Sequence, residues 1–369
     1  MKIPVARHIS TIVPYPPGKP IEELEREYGI QGSIKLASNE NPLGPSPRAL
    51  AALNDALSRL HRYPDGSGYY LRQKISRKYS VPFDGIVLGN GSNEVIEFAI
   101  RAFVQPGDRV IVPEPSFLLY KLVTQMVGGE TVSIPLRDYS IDLEGMLAAV
   151  DDRTRVLFLT NPNNPTGTLL RKAPFDAFLA AVPPEVLVVL DEAYIEFARD
   201  DDTPQGFDYI HQEDPCLLVL RTFSKAYGLA GLRIGYGVTN PSVATYLNRV
   251  HQPFNTGSLS QAAAIAALDD EEFLSETLRT VWEGMEYLCR EMDRIGLNTL
   301  PSQANFFLIQ VPVDGKKVFE HMLRQGVIIR PMNAYGLPRH IRVNVGRPEE
   351  NRRFVKALTL ALDELSRTD

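Results

Sequence analysis

From about residue 85 the chain alternates short β-rich runs with stretches of helical spacing. Candidate strands are Gly85–Gly89, Arg109–Pro113, Thr131–Pro135, Val156–Thr160, Val186–Leu190, Leu217–Arg221 and Ile234–Val238. Several, such as Val186-Leu-Val-Val-Leu190, are unbroken apolar runs, which is how a strand buried on both faces reads. The stretches between, for example Asn93–Val104 and Asp142–Val150, carry helical spacing. This alternation predicts an α/β fold whose mostly parallel sheet is covered by helices on both sides. After residue 258 the pattern changes. Residues 258 to 295 read as helix throughout, Phe306–Val311 and Ile341–Val345 read as strands, and a helix near Gly315–Gln325 lies between them. A last helix starts near Pro348, with Pro at its first position and Glu349 and Glu350 in its first turn. This predicts a smaller α+β unit. The Pro-rich opening, with Pro14, Pro16, Pro17 and Pro20, predicts an extended arm.

Composition narrows the function. Of 369 residues, 44% are hydrophobic and 23% charged, which excludes global disorder. A net charge of −6 argues against a nucleic-acid partner. No apolar run is long enough to span a bilayer, and the N-terminus lacks the apolar core of a signal peptide. Cys216 and Cys289 are isolated in the sequence, which predicts two reduced core residues and a cytoplasmic location. The six histidines are dispersed and no His-Glu-x-x-His occurs, so no metal site is predicted.

Four polar segments follow predicted strands. Gly89-Asn-Gly-Ser-Asn-Glu94 opens a helix, and free amides at a helix N-terminus form an anion cup; the plain alternative is a capped turn. Asn161-Pro-Asn-Asn-Pro-Thr-Gly167 is a rigid loop at the end of a predicted strand, where α/β sheets place ligands. Asp191-Glu-Ala-Tyr194 puts a carboxylate at a buried strand end, where it needs a partner or caps a helix. Ser224-Lys-Ala-Tyr-Gly-Leu-Ala-Gly-Leu-Arg233 supplies a lysine among small and apolar residues, and an arginine. Desolvation at a sheet mouth makes an amine nucleophilic, although most lysines are surface residues. A lysine amine, an anion cup, an arginine and a carboxylate together suit pyridoxal 5′-phosphate (PLP), with Phe117 available as a stacking face. A nicotinamide-dependent oxidoreductase would also use the strand, Gly-rich turn and helix, but the third glycine is missing and Lys225 and Asp191 would have no role. A non-catalytic binding protein is a third reading.

The last three of these segments resemble the signature of fold-type I PLP-dependent aminotransferases. Leu36-Ala-Ser-Asn-Glu-Asn-Pro-Leu-Gly44, Arg62-Tyr-Pro-Asp65, Gly326-Val-Ile-Ile-Arg-Pro331, Tyr335-Gly-Leu-Pro338 and Ile341-Arg-Val-Asn-Val-Gly346 are most similar to the histidinol-phosphate aminotransferase subgroup. The resemblance runs from about residue 15 to 365 and implies the following expectations. The fold is a three-layer large domain with a smaller α+β domain. Residues 1–40 form an arm and part of the small domain, 41–260 the large PLP-binding domain, and 261–369 the C-terminal small domain. Lys225 carries the cofactor and shuttles a proton, Asp191 pairs with the ring nitrogen, and Asn164 and Tyr194 bind the phenolic oxygen. Gly91, Ser92, Asn93, Thr222, Ser224 and Arg233 bind the phosphate, with Tyr63 contributed across a homodimer interface. Tyr15, Asn164, Arg330 and Arg342 meet substrate, and Phe117 stands where many relatives have Tyr. The implied reaction is transamination between L-histidinol phosphate and 2-oxoglutarate in histidine biosynthesis. An aromatic amino-acid aminotransferase and a threonine-phosphate decarboxylase are the alternatives.

Overall fold

The computed structural model describes residues 3–14, 18–210 and 216–367. Its strands, in chain order, are β1 (Ile34–Lys35), β2 (Ile86–Gly89), β3 (Arg109–Glu114), β4 (Glu130–Pro135), β5 (Thr154–Thr160), β6 (Leu187–Asp191), β7 (Leu217–Thr222), β8 (Gly235–Thr239), β9 (Phe306–Gln310), β10 (Val327–Ile328), β11 (Arg330–Pro331) and β12 (His340–Asn344). Seven of them form one sheet in the order β2-β8-β7-β6-β5-β3-β4. The pairs β3/β4, β3/β5, β5/β6 and β6/β7 are parallel, whereas β8 runs antiparallel to both β2 and β7. The segment joining β7 to β8 contains only a single 3₁₀ turn, too little for the crossover that a parallel neighbour needs.

The unbroken apolar runs are explained by two cores, one on each face. Val156, Phe158, Val189, Leu218 and Leu220 pack on one side with the helices Ser92–Phe103, Leu119–Met126 and Pro241–Val250. Leu157, Leu159, Val188, Leu190, Leu217 and Val219 pack on the other. Successive side chains of a strand point to opposite faces, so each residue of these runs is claimed by one core or the other.

β9, β11 and β12 form a three-stranded antiparallel sheet in the order β11-β12-β9, and β1 pairs with β10 in parallel. The last helix is Pro348–Ser366, with Glu350 accepting from the Arg347 amide at 2.7 Å. Two expectations change. The 258–295 stretch is two helices, Ser258–Leu268 and Glu271–Arg294, because Asp270 leaves helical geometry and caps the second through the Phe273 amide. The N-terminal segment is not wholly extended: Arg7–Ser10 makes one helical turn and Ile21–Tyr28 a helix that ends on Gly29. Among the described residues no helix is long and apolar enough to cross a membrane.

Candidate active site

β2, β3, β5, β6 and β7 all end at one edge of the large sheet, and β8 begins there because it is reversed. Strand parity then selects which residues face one another. Thr160, Asp191 and Thr222 each lie two residues beyond a member of the same core, Phe158, Val189 and Leu220, so all three emerge on that face. Between this edge and the three-stranded sheet lies a cavity of about 330 Å³. Gly91, Ser92, Asn93, Phe117, Asn164, Asp191, Tyr194, Thr222, Ser224, Lys225, Arg233, Arg330 and Arg342 all line it. Among the described residues, one predicted residue does not. Tyr63 is 83% exposed, with its ring stacked on Phe254 at 4.8 Å, away from its own chain's cavity. Tyr15 lies outside the described residues.

One end of the cavity is an anion cradle. The helix Ser92–Phe103 starts with Gly91 at its cap position and no side-chain cap, so its first amides stay directed at the cavity. Gly91 has φ of +73°, and a Cβ there would lie 2.7 Å from Arg233 Nη2. Gly235 is needed for a second reason: a Cβ on it would come within 2.4 Å of the Ser92 amide nitrogen. Arg233 itself adopts a left-handed φ of +53° that turns its guanidinium toward Ser224, with Nη1 3.5 Å from Oγ and 2.9 Å from the Ala230 carbonyl.

The other end is a buried carboxylate. Asp191 is 3% exposed. Its Oδ2 accepts from the Tyr120 hydroxyl at 2.8 Å and its Oδ1 from the Ala193 amide at 3.1 Å. Burial pushes its pKa from 3.8 up to about 6; the two neutral hydrogen bonds pull the other way, and do so more strongly than Lys225. Between the two ends, Lys225 Nζ donates to the Ser38 carbonyl at 3.0 Å and lies 5.5 Å from the Tyr194 ring centre. The Tyr194 oxygen accepts from Asn39 Nδ2 at 3.0 Å and Asn164 Nδ2 at 3.4 Å. Burial raises its pKa, while Arg342 and Asn39 act in the opposite sense.

The roof carries two arginines. Antiparallel pairing sets Arg330 of β11 opposite Arg342 of β12. Arg342 is buried; it donates to Asn164 Oδ1 and, at 3.0 Å, to the Ala37 carbonyl, and its Nε has no hydrogen bond. Among the described contributors that the sequence does not single out are three side chains. Thr160 lines the cavity as the last residue of β5. Asn39, at φ +57°, reaches Tyr194 from the Ser-Asn-Glu-Asn-Pro loop, and nothing in one sequence distinguishes it from the neighbouring Asn41. Tyr120 follows Phe117 at helical spacing, and that spacing by itself reads only as a core position.

The site fits PLP on its own terms. A cradle that a Cβ would fill suits a phosphate, and a fully buried carboxylate held only by neutral hydrogen bonds suits a protonated ring nitrogen.

Residues 31–358 match the family Aminotransferase class I and II. Histidinol-phosphate aminotransferase 1 of Nitrosococcus oceani is 49% identical over 359 residues, which is 97% of each chain. The histidinol-phosphate aminotransferase of Desulfotalea psychrophila is 49% identical over 370 residues, covering 99% of this chain and 97% of its own. Among solved structures, histidinol-phosphate aminotransferase from Sinorhizobium meliloti, in complex with pyridoxal-5′-phosphate, has a TM-score of 0.89 at 30% identity and covers 98% of both chains. Agreement over nearly the whole length, in sequence and in fold, means that this chain belongs to the class I and II aminotransferases and has their fold-type I architecture.

Proposed function

We propose that the protein uses PLP to move an amino group between L-histidinol phosphate and 2-oxoglutarate, giving imidazole acetol phosphate and L-glutamate, in histidine biosynthesis. The observation that carries this reading is the placement of Arg330 and Arg342, paired across β11 and β12, over a cavity that also holds Lys225 and Asp191. Both half-reactions bring an anion to that roof, a phosphate in one and a carboxylate in the other.

When bound, PLP supplies a carbonyl for covalent attachment and a conjugated ring that accepts the electron pair left at the substrate's α-carbon. The chain's residues do the rest. The helix amides after Gly91, with Ser92, Asn93, Thr222, Ser224 and Arg233, hold the phosphate. Phe117 would pack against the ring, and Asp191 would keep a proton on its nitrogen by charge pairing in a dry site. Asn39 and Asn164 both donate to the Tyr194 oxygen, which leaves the Tyr194 proton to be donated into the cavity, toward the phenolic oxygen. Lys225 Nζ moves the proton at the α-carbon. Exposed Tyr63 supports a homodimer in which it completes the partner's phosphate site. The pairing of β1 with β10 supports the division into 1–40, 41–260 and 261–369, with the first segment joining the last in part. A cytoplasmic location follows from the metabolic role.

The test is substrate choice. Charge-assisted contacts to Arg are worth roughly 1.5–3 kcal/mol each, so histidinol phosphate should exceed histidinol by about a hundredfold or more in kcat/KM. Arg342→Ala should remove most of that gap and also harm the glutamate half-reaction. Faster turnover of phenylalanine or tyrosine, or release of CO₂ from threonine phosphate, would sink this reading.

A further inference from the structure

Behind Asp191 lies a run of hydroxyl groups that no motif contains. Tyr120, from the helix Leu119–Met126, is fully buried, and its hydroxyl lies 2.8 Å from Asp191 Oδ2 and 2.9 Å from Thr160 Oγ1. Thr160 Oγ1 is 3.2 Å from Ser116 Oγ, which is 3.1 Å from Asn163 Oδ1. The Asn163 amide nitrogen is turned to the Thr166 hydroxyl at 2.9 Å and the Pro115 carbonyl at 3.4 Å, so its oxygen faces Ser116. The proton directions follow. An amide oxygen and an ionised carboxylate only accept, and each hydroxyl has one proton. Ser116 therefore donates to Asn163 and Tyr120 to Asp191, while Thr160 gives its proton to either neighbour. In both arrangements the Tyr120 proton points at Asp191.

The Tyr120 ring has little room to turn away. It stacks on Phe158 with centroids 4.3 Å apart and planes 8° apart, and it meets Phe117 edge-on at 5.6 Å. The hydroxyl run ties together the turn after β3, the loop after β5 and the end of β6. The angle of Asp191 is thus set by the protein before any ligand arrives.

We propose that Tyr120 is a positioning residue: its hydroxyl, backed by Thr160, Ser116 and Asn163, fixes the rotamer of Asp191 and stabilises its ionised form toward the cofactor's ring nitrogen. This rests on the aminotransferase reading of the site. Without the hydroxyl, a fully buried carboxylate has one donor fewer and its charged form becomes costlier. Asp191 would then hold a proton on the bound cofactor's ring nitrogen less firmly, and the cofactor would supply a weaker electron sink.

Tyr120→Phe keeps the ring stack and removes only the hydroxyl. In ligand-free protein carrying ¹³C-labelled aspartate, the Asp191 carboxyl of this variant should titrate about one pH unit or more above the wild type. In the loaded enzyme kcat should fall about ten- to a hundredfold with KM within about threefold, because the interaction acts on the chemical step. Placed in an Asp191→Asn background, the same change should cost less than about twofold further, since its target is gone. Should Tyr120→Phe not fold, Thr160→Val is read in the same titration, with a smaller upward movement expected. An Asp191 titration that stays put, or an equal fractional loss of kcat in both backgrounds, overturns the proposal. The titration uses neither cofactor nor substrate, so its failure counts against Tyr120 alone. Absence of transamination by the wild-type protein counts against the functional reading instead.

Discussion

β6 and β7 run into two pairs of residues that point to opposite faces of the sheet, and the two faces treat buried charge differently. On the face away from the cavity, Glu192 is fully buried and meets Arg221 Nη2 at 2.9 Å, while its other oxygen accepts from the Gly206 amide at 2.6 Å. The Arg221 guanidinium lies 3.9 Å from the Phe207 ring centre and 5.3 Å from that of Tyr79. On the cavity face, Asp191 is one residue earlier, almost as buried, and receives hydrogen bonds from a phenol and an amide. Burial pushes both carboxyls up. Arg221 is the strongest influence pulling Glu192 back, whereas for Asp191 that place is taken by the Tyr120 hydroxyl. A buried carboxylate completed by a cation of its own chain is architecture. One whose hydrogen bonds come only from neutral donors is left able to receive a further cation, because desolvation makes a lone charge costly until it is paired.

Each face can be broken separately. The largest effect belongs to the structural face: Arg221→Met leaves Glu192 buried without its cation and should cost about 3–5 kcal/mol of stability in chemical denaturation. Adding Glu192→Leu should recover much of it, and a double variant no better than the single one would refute the pairing as the cause. On the cavity face, Asp191→Asn should raise the barrier to transamination by about 2.7–4 kcal/mol, the usual cost of losing one well-placed electrostatic group. A rate within threefold of wild type would contradict its role.

The same carboxyl gives a pH signature of the ligand-free protein. Its folded pKa of about 6 lies above the ordinary 3.8, so the folded state binds more protons between those values and stability falls as pH rises through that window. The loss should approach roughly 3 kcal/mol by pH 7, and Asp191→Asn should abolish it in melts taken from pH 4 to 8. Glu196, near Arg221 but with Oε2 lacking a hydrogen bond, is raised by burial from 4.5 to about 7. It acts in the same direction over that higher window. Glu196 retains partial solvent exposure, so Glu196→Gln should flatten the curve by only about 1 kcal/mol. A steeper profile in that variant would reverse the sign argued here.

Much of this contrast was legible along the chain. The unbroken apolar runs located the sheet strands to within a residue or two, since a strand packed on both faces has no polar position. Asp191 and Glu192 are adjacent, so the two-residue period of a strand already requires them to face opposite ways. The lysine loop and the Asn-Pro-Asn-Asn-Pro-Thr-Gly segment marked strand ends that the structure brings to one cavity. The break between the helices at Asp269 and Asp270 was missed, because both flanks continue the helical spacing and only the cap at Asp270 marks the restart. Tyr120 was missed for another reason. A buried tyrosine in an amphipathic helix reads as core, and only its partner makes it more than that.

The sequence by itself determined the seven strands of the large sheet, the two longer strands of the small one, and which strand ends carry polar segments. These depend on periodicity and turn residues, which act over a few positions. Only the tertiary structure decided the strand order, the reversal of β8 that brings Arg233 to the cradle, and the register that sets Arg330 opposite Arg342. It also decided that Asn39, Tyr120 and Asn164 meet Tyr194 and Asp191. Tyr120 and Asp191 are 71 residues apart, and Asn39 and Tyr194 are 155. Such contacts follow from how whole layers bury their faces together, and no local pattern encodes them.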